Sequence, residues 1–462
     1  MKNNSIILIN LLLLIIAGTG CTKVADNKDL WKAVVAPASP VSDAAPLCGT
    51  IKGTMLAGKT YTIGCNVIVN EGDTLTIQEG VHINFTGNYG IGVKGTLISL
   101  GTKEHPNWFT FPNTTKTDQP GADPSKDPAF AGLWSGIICG PTCPLLVIKW
   151  THIEFAGGAT TGEVAVLGKT YPILFQNPLG VFVMEDSWIY GSTDDPIRTL
   201  GGKIAILRNT FEKCGYTGGE AINMKAGTIG DFAYNVCIGM ATNGPKLSNS
   251  GVITGVPGSN VRMYNNTILN CGFRRAAAGR GGSINFEEGA GGMAYNNLIV
   301  NCKFGLRVVQ NPIADTANLR YGYNLYYADS LSVANQFIPS LAVSTAISVP
   351  QSTDIPNPST YLPSGWKVGD TYTAPASILG KNNPLFINGP VPLPAGYNLK
   401  DVVIMGNYNL GLKTGSPCIG AGYTGFTARA DVPVDSRFGA SEITPPGKDI
   451  GAYQSNGTGN QH

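Results

Sequence analysis

The chain has 462 residues, a net charge of +2, 13% charged residues and 43% hydrophobic ones. That apolar share excludes a disordered chain, and the near-neutral balance lacks the basic footprint of a nucleic-acid binder. With 60 Gly and 30 Pro, the composition suits short strands joined by tight turns, because such turns need positive φ or a side chain that mimics the backbone.

Residues 1–20 read as a segment that is not part of the fold. Lys2 supplies a basic start, and Ile6 to Ala17 form an apolar run too short to span a bilayer comfortably. Gly18-Thr19-Gly20 then precede Cys21. Small residues directly before a Cys resemble a bacterial lipobox, which would make Cys21 the lipidated N-terminus, with Gly18 standing where Leu is preferred. Residues 21–46, rich in Ala, Pro, Ser and Asp, read as a flexible tether. Contact with a membrane is expected through this anchor alone. Export permits disulfides: Cys48 and Cys65 bracket the start of the fold, and Cys139 and Cys143 could close a small loop.

From Cys65 onward the chain reads as apolar runs of three to five residues. Val67-Ile-Val69, Leu75-Thr-Ile77, Val81 to Phe85 and Thr96-Leu-Ile98 are separated by Glu71-Gly-Asp73, Glu79-Gly80 and Gly87-Asn88. Further on, Tyr264-Asn-Asn-Thr-Ile-Leu-Asn-Cys271 returns as Tyr295-Asn-Asn-Leu-Ile-Val-Asn-Cys302, with fainter copies around Asn209, Asn235 and Asn324. Repetition every 26 to 31 residues is a solenoid signature, and the Ile/Val/Phe content makes it a β-solenoid. The expected fold is all-β: a single-chain right-handed parallel β-helix over residues 47–330. About ten coils, stacked at ~4.8 Å, would give a rod of about 45 Å.

Within the repeat, Asn209, Asn235, Asn266 and Asn297 are read as a structural ladder in a corner between sheets, each amide bonding the next coil. Cys214, Cys271 and Cys302 share one repeat position and are read as a buried thiol column. After Tyr327 the rhythm fades. Residues 331–415, rich in Pro, Ser and Thr, are expected to form a loop-rich excursion packed on the rod. Residues 416–462 are expected to fold back as the cover of an open end.

Three phrases resemble right-handed parallel β-helix lipoproteins of the pectate-lyase-like superfamily from Bacteroidetes-type bacteria. They are Gly72 to Gly80 with Val93 to Thr102 and Trp108 to Phe111; Gly132-Leu-Trp-Ser-Gly136 with Thr151 to Gly158; and Ser416 to Gly422 with Asp449-Ile-Gly-Ala-Tyr453. The resemblance covers most of residues 60–330 and the tail. It implies this fold and export; a monomeric outer-membrane lipoprotein is expected, and the polar outer face of the strands after each Asn unit is what would meet polysaccharide at the cell envelope. It does not assign a reaction, since such rods carry lyases, hydrolases and adhesins.

The candidate site follows from the strands after each Asn unit. Ile197, Ile222, Ile284 and Leu306 should point inward, so Arg198, Asn223, Asn285 and Arg307 should share one outer face, followed by Lys225 and Glu287. Asp194, Asp195 and Glu220 sit in the turns entering it, and Arg274, Arg275 and Arg280 lie in a flanking loop. A lyase acting on a uronate needs a cation to neutralise the carboxylate and a base to take the proton. Lys225, Arg307 and Glu287 are the candidate catalytic groups. Arg198, Asn223, Asn285, Arg274, Arg275 and Arg280 are the candidates for contact with an acidic polysaccharide. The pectate-lyase Arg strand and calcium-binding Asp cluster are absent, as are the polygalacturonase-like Asn-Thr-Asp and His-Gly pieces. No metal site is assigned, and calcium is the one cofactor a lyase reading would admit. Three readings stand: a glycan-interacting lipoprotein, a polysaccharide lyase (favoured over a glycoside hydrolase), and a structural or adhesive rod.

Overall fold

The computed structural model describes residues 39–116, 124–159, 161–164, 171–251, 254–277, 280–309, 315, 318–330, 333, 346–348, 382–391 and 408–462. The signal segment, Cys21, most of the tether and most of the 331–415 excursion lie outside the described residues. Everything described belongs to one compact unit, Ala36–His462.

The chain winds as a parallel β-helix, and the stacking is consistent with the right-handed form. One sheet holds ten strands in sequence order, from Gly53–Met55 to Leu319–Gly322, each paired in parallel with the strand one coil away. The other two faces are built likewise. The second runs from Thr60–Val69 through His82–Phe85 to Leu325–Tyr327, and the third through Ile91–Val93 and Ile197–Leu200 to Arg307–Val309. Alternate residues fill the lumen, among them Leu146, Phe182, Ile206, Phe232, Ile268 and Phe286, all buried. Short apolar runs suffice because each strand needs only one or two inward side chains, and the next coil supplies the partner.

The corner between first and second sheets is made by two residues. The first lies in the left-handed region: Trp150, Asp186, Arg208, Tyr234, Asn265, Asn296 and Tyr323 have φ between 46 and 59°. The second carries the ladder. Asn266 Oδ1 accepts from Asn235 N (2.9 Å) and Asn235 Nδ2 (3.2 Å), while Asn266 Nδ2 donates to Asn297 Oδ1 (2.9 Å) and to Phe232 O (3.1 Å). The same bonds link Asn209 to Asn235 and Asn297 to Asn324. Ser187 and Thr151 extend the column downward, Ser187 N donating to Asn209 Oδ1 at 3.0 Å and Thr151 N to Ser187 Oγ at 3.0 Å. Corner amides that water cannot reach are thereby satisfied.

The cysteine column is interrupted. Backbone bonds run from Gly215 to Ser192, Ala241 to Cys214, Gly272 to Met240 and Lys303 to Cys271. They place Met240 between Cys214 and Cys271, while Cys237 sits in a neighbouring row opposite Phe211 and Ile268. Only Cys271 and Cys302 are direct neighbours. All these thiols are buried and free. Cys48 and Cys65 form a disulfide. Cys139 and Cys143 do not: Cys139 is a lumen residue between Val93 and Phe175, and Cys143 Sγ donates to Leu145 O at 3.6 Å. Both act as core fillers.

The tail covers a side of the rod, along the second sheet. On the second sheet the outward positions change character along the axis. In the early coils His82, Trp108, His152 and Trp188 stack one per coil, with ring centroids 6.1, 4.0 and 5.8 Å apart. Later, Val236, Ile238, Leu269, Leu298, Val300, Leu325 and Tyr327 present an apolar outer face, and Phe386, Leu410, Cys418, Ile450 and Ala452 bury it. The side was apolar, so the side needed covering. Ala452 N donates to Thr267 Oγ1 (3.0 Å), Asn460 Nδ2 to Asn209 O (3.2 Å), and His462 closes edge-on against His152 with centroids 6.2 Å apart. The edge of the third sheet is covered separately, by the antiparallel strand Ala346–Ser348 against Arg307–Val309. At the other end Thr54 N donates to Ser39 O and Val41 N to Thr54 O, so the first coil recruits the last residues of the expected tether.

Candidate functional site

The third sheet brings the predicted polar residues into one row. Arg198 pairs in register with Asn223, Asn223 with Lys246, Lys246 with Asn285 and Asn285 with Arg307. Lys246, on the strand Pro245–Ser248, was missed in the sequence because 241–259 reads as a loop rich in Gly, Ser and Pro. Strand spacing puts these residues about 4.8 Å apart along the rod. A second row, two residues further along the strands, runs from Leu200 through Lys225 and Ser248 to Glu287.

The row is not an open, solvated sheet. Asn285 and Arg307 are each 1% exposed, and Asn223 is 3% exposed. Buried polar groups persist only when paired, and here they form a chain of contacts. Arg198 Nη2 and Nε reach Asp195 Oδ2 (2.7 and 3.1 Å), and Asn223 Nδ2 donates to the same oxygen at 3.0 Å. Glu220 N donates to Asp195 Oδ1 at 2.9 Å. Asn243 Nδ2 donates to Glu220 Oε1 at 3.3 Å, and Lys246 Nζ lies 3.8 Å from that oxygen and 2.9 Å from Glu287 Oε2. Asn285 Nδ2 donates to Glu287 Oε1 (3.1 Å), and Arg307 Nε to Asn285 Oδ1 (3.2 Å). The guanidinium of Arg198 also stacks over Tyr171, and that of Arg307 over Phe304.

These environments push the carboxyls apart. Burial, reinforced by the adjacent Asp195 charge, raises Glu220 well above the ordinary carboxylate range. Asp195 is opposed by burial, yet the hydrogen bonds from Glu220 and the charge of Arg198 bring it down to about 2. Burial likewise opposes ionisation of Glu287, but Lys246 and Asn285 hold it below its usual value. Burial lowers Arg307 to about 10, which leaves it charged at neutral pH.

The remaining candidates divide. Lys225 stands beside the row, half-buried, and its pKa is lowered by burial and then by the charges of Lys246 and Arg198. It does not converge on Glu287, because Ser248 lies between them in register. Lys246 makes that contact instead. Arg280 is exposed and close enough for its charge to act on Lys246, Glu287 and Arg307. Arg275 Nη1 donates to Thr217 O at 3.3 Å. Arg274 is elsewhere in function: it is buried, donates to the carbonyls of Cys214, Gly215 and Gly239 (2.7–3.0 Å), and stacks on Phe130. It staples the corner that leads into the site, so its assignment to substrate contact is corrected. Among the described residues no group of three or more His, Cys, Asp or Glu side chains is gathered to hold a metal ion.

No protein-family model, curated protein or solved structure matches the chain. The chemistry therefore rests on the site itself. It holds two carboxyls whose pKa values are pushed in opposite directions on a shared ammonium, with cations on both flanks.

Proposed function

We propose that this is an exported, lipid-anchored parallel β-helix protein of the cell envelope that binds an acidic polysaccharide across the third sheet. The observation that carries this reading is the row Arg198–Asn223–Lys246–Asn285–Arg307, one polar side chain per coil, with Lys225 and Arg280 at its solvent side. An extended polymer lying along the rod would meet the partly exposed Arg198 and Lys225 and the exposed Arg280, behind which the buried row is packed. The excess of cations favours uronate or other anionic sugars. The pectate-lyase-like resemblance and the Gly18-Thr-Gly-Cys21 phrase support export and an outer-membrane location.

A second reading, a non-catalytic structural rod, draws on one observation: Asp195, Glu220, Lys246 and Glu287 find their partners within the network. Titration calorimetry against polygalacturonate, alginate and a neutral glucan separates the two. The binding reading expects selective affinity for the acidic polymers that weakens with salt. It also expects at least about a tenfold loss, ~1.4 kcal/mol, in the Lys225→Ala/Arg280→Ala double variant. Absence of binding to every acidic polymer tested would leave the structural rod.

A further inference from the structure

We infer that the groove between the C-terminal tail and the corner at Arg208 is a second binding site, separate from the third sheet, which takes a small sugar acid by its carboxylate.

The groove has room for one. Its volume is about 670 Å³, within the range of roughly 300–1,000 Å³ typical of small-molecule sites. Arg208, Tyr234 and Thr444 form its buried part, and Pro445, Lys448, Ser455 and Asn456 line it nearer solvent. These walls are fixed by the rod. Tyr264 Oη donates to Thr444 O at 2.7 Å, Tyr234 Oη to Pro445 O at 2.6 Å, and Gly447 N to Asn265 Oδ1 at 3.0 Å. On the other strand of the tail, Asn460 Nδ2 donates to Tyr234 O at 3.2 Å. A wall already in place spares a ligand the cost of ordering it.

The charges in the groove are unevenly spent. Asp186 takes Nε and Nη2 of Arg208, both at 2.8 Å. Nη1 is left with two long contacts, 3.4 Å to Thr444 Oγ1 and 3.6 Å to Glu442 Oε1. Thr444 and Glu442 both line the groove, so the guanidinium turns its under-used edge into it. Glu442 is 68% exposed in its side chain and stands beyond hydrogen-bond distance. Its loosely held carboxylate marks the place where a better-seated one would lie. Lys448, exposed at the rim, has no ion-pair partner among the described residues. Asp449 does not compete for these cations, because its oxygens are spent on Gly420 N (2.8 Å) and Ser455 N (2.5 Å).

A carboxylate that accepts from Arg208 Nη1 and Lys448 Nζ would send Glu442 out to solvent. Charge-assisted bonds of this kind are about twice as strong as neutral ones. Ile419, Pro445 and Pro446 supply C–H surface beside them, and Ser455 and Asn456 supply polar atoms. That mixture suits a ring with apolar faces and hydroxyl edges, as a uronic acid has.

The test is titration calorimetry of the full chain with galacturonate and digalacturonate, and with galactose as the neutral counterpart. Both acids should bind, at least about tenfold more tightly than galactose. K448Q should weaken them about tenfold, with K448R restoring most of the loss. E442Q should tighten them about two- to fivefold, since it removes a competing carboxylate. The Lys225→Ala/Arg280→Ala double variant should bind galacturonate as wild type does. Absence of binding, equal affinity for galactose, an unchanged K448Q, or an E442Q that binds no better would each overturn the inference and leave the third-sheet reading untouched. Loss of galacturonate binding in the double variant would overturn it by placing the acid on the third sheet.

Discussion

Asn235 holds Asn209 twice: its Oδ1 lies 2.9 Å from Asn209 N and 3.0 Å from Asn209 Nδ2. One side-chain oxygen thereby satisfies a backbone donor at the corner and a side-chain donor one coil away. Repeated from Asn209 to Asn324, this contact fixes the vertical register of the rod, and every residue of the candidate site inherits its neighbours from it.

Replacing Asn266 by Ala should cost about 3–5 kcal/mol, because Asn235 N, Phe232 O and the Asn297 acceptor would all lose a buried partner. Urea unfolding checks this. A loss below ~1 kcal/mol would mean that water replaces the amide and that the ladder does not set stability.

The residue before each ladder Asn has a separate job. Asn296 Oδ1 accepts from Tyr423 N and its Nδ2 donates to Tyr423 O, both at 2.8 Å, and Asn265 Nδ2 donates to Asp449 O at 2.7 Å. Asn296→Ala should speed hydrogen exchange around Tyr423 while leaving the strand Leu298–Val300 protected. Equal loosening of both would show that tail and rod open together.

Stability should peak on the acid side of neutrality. Glu220 has a raised folded pKa, so its contribution is complete below its unfolded value, ~4.3, and is lost as pH rises through the folded one. Asp195 is the reverse: its contribution is present above ~3.9 and disappears as pH falls through about 2. Thermal melts from acid to alkaline pH should show both limbs, and E220Q should flatten the alkaline one. An unchanged alkaline limb in E220Q would assign that limb to another group.

The repeat, the ladder and the polar row were legible because a stacked coil turns sequence periodicity directly into spatial contact. Arg198, Asn223, Asn285 and Arg307 could be aligned from the apolar residue before each. Lys246 escaped because its strand, Pro245–Ser248, lacks β-branched residues and starts with Pro. The coil count was the available signal: Asn235 and Asn266 bound one full turn, which must supply a third-sheet strand. Burial was not legible, since nothing local in Asn285-Phe-Glu287 says whether its outer side meets water. The apolar outer positions Ile238, Leu269 and Val300 did carry such a signal, as the alternation expected of a half-solvated strand fails there.

Arg274 illustrates the same limit. Three arginines in one loop looked equivalent, yet Arg274 spends its guanidinium on carbonyls of the corner. Arg274→Ala should lower stability by about 2–4 kcal/mol and leave affinity for acidic polymers unchanged. Loss of affinity at full stability would return Arg274 to the binding surface.

The most direct measurement of the central claim is a hydrogen-exchange footprint of the full chain with and without saturating polygalacturonate or alginate. Protection concentrated on 216–225, 245–250 and 280–289, the segments carrying Glu220, Lys225, Lys246, Arg280 and Glu287, is the expected result. Protection confined to the stacked rings of the second sheet, or to the tail, would contradict it.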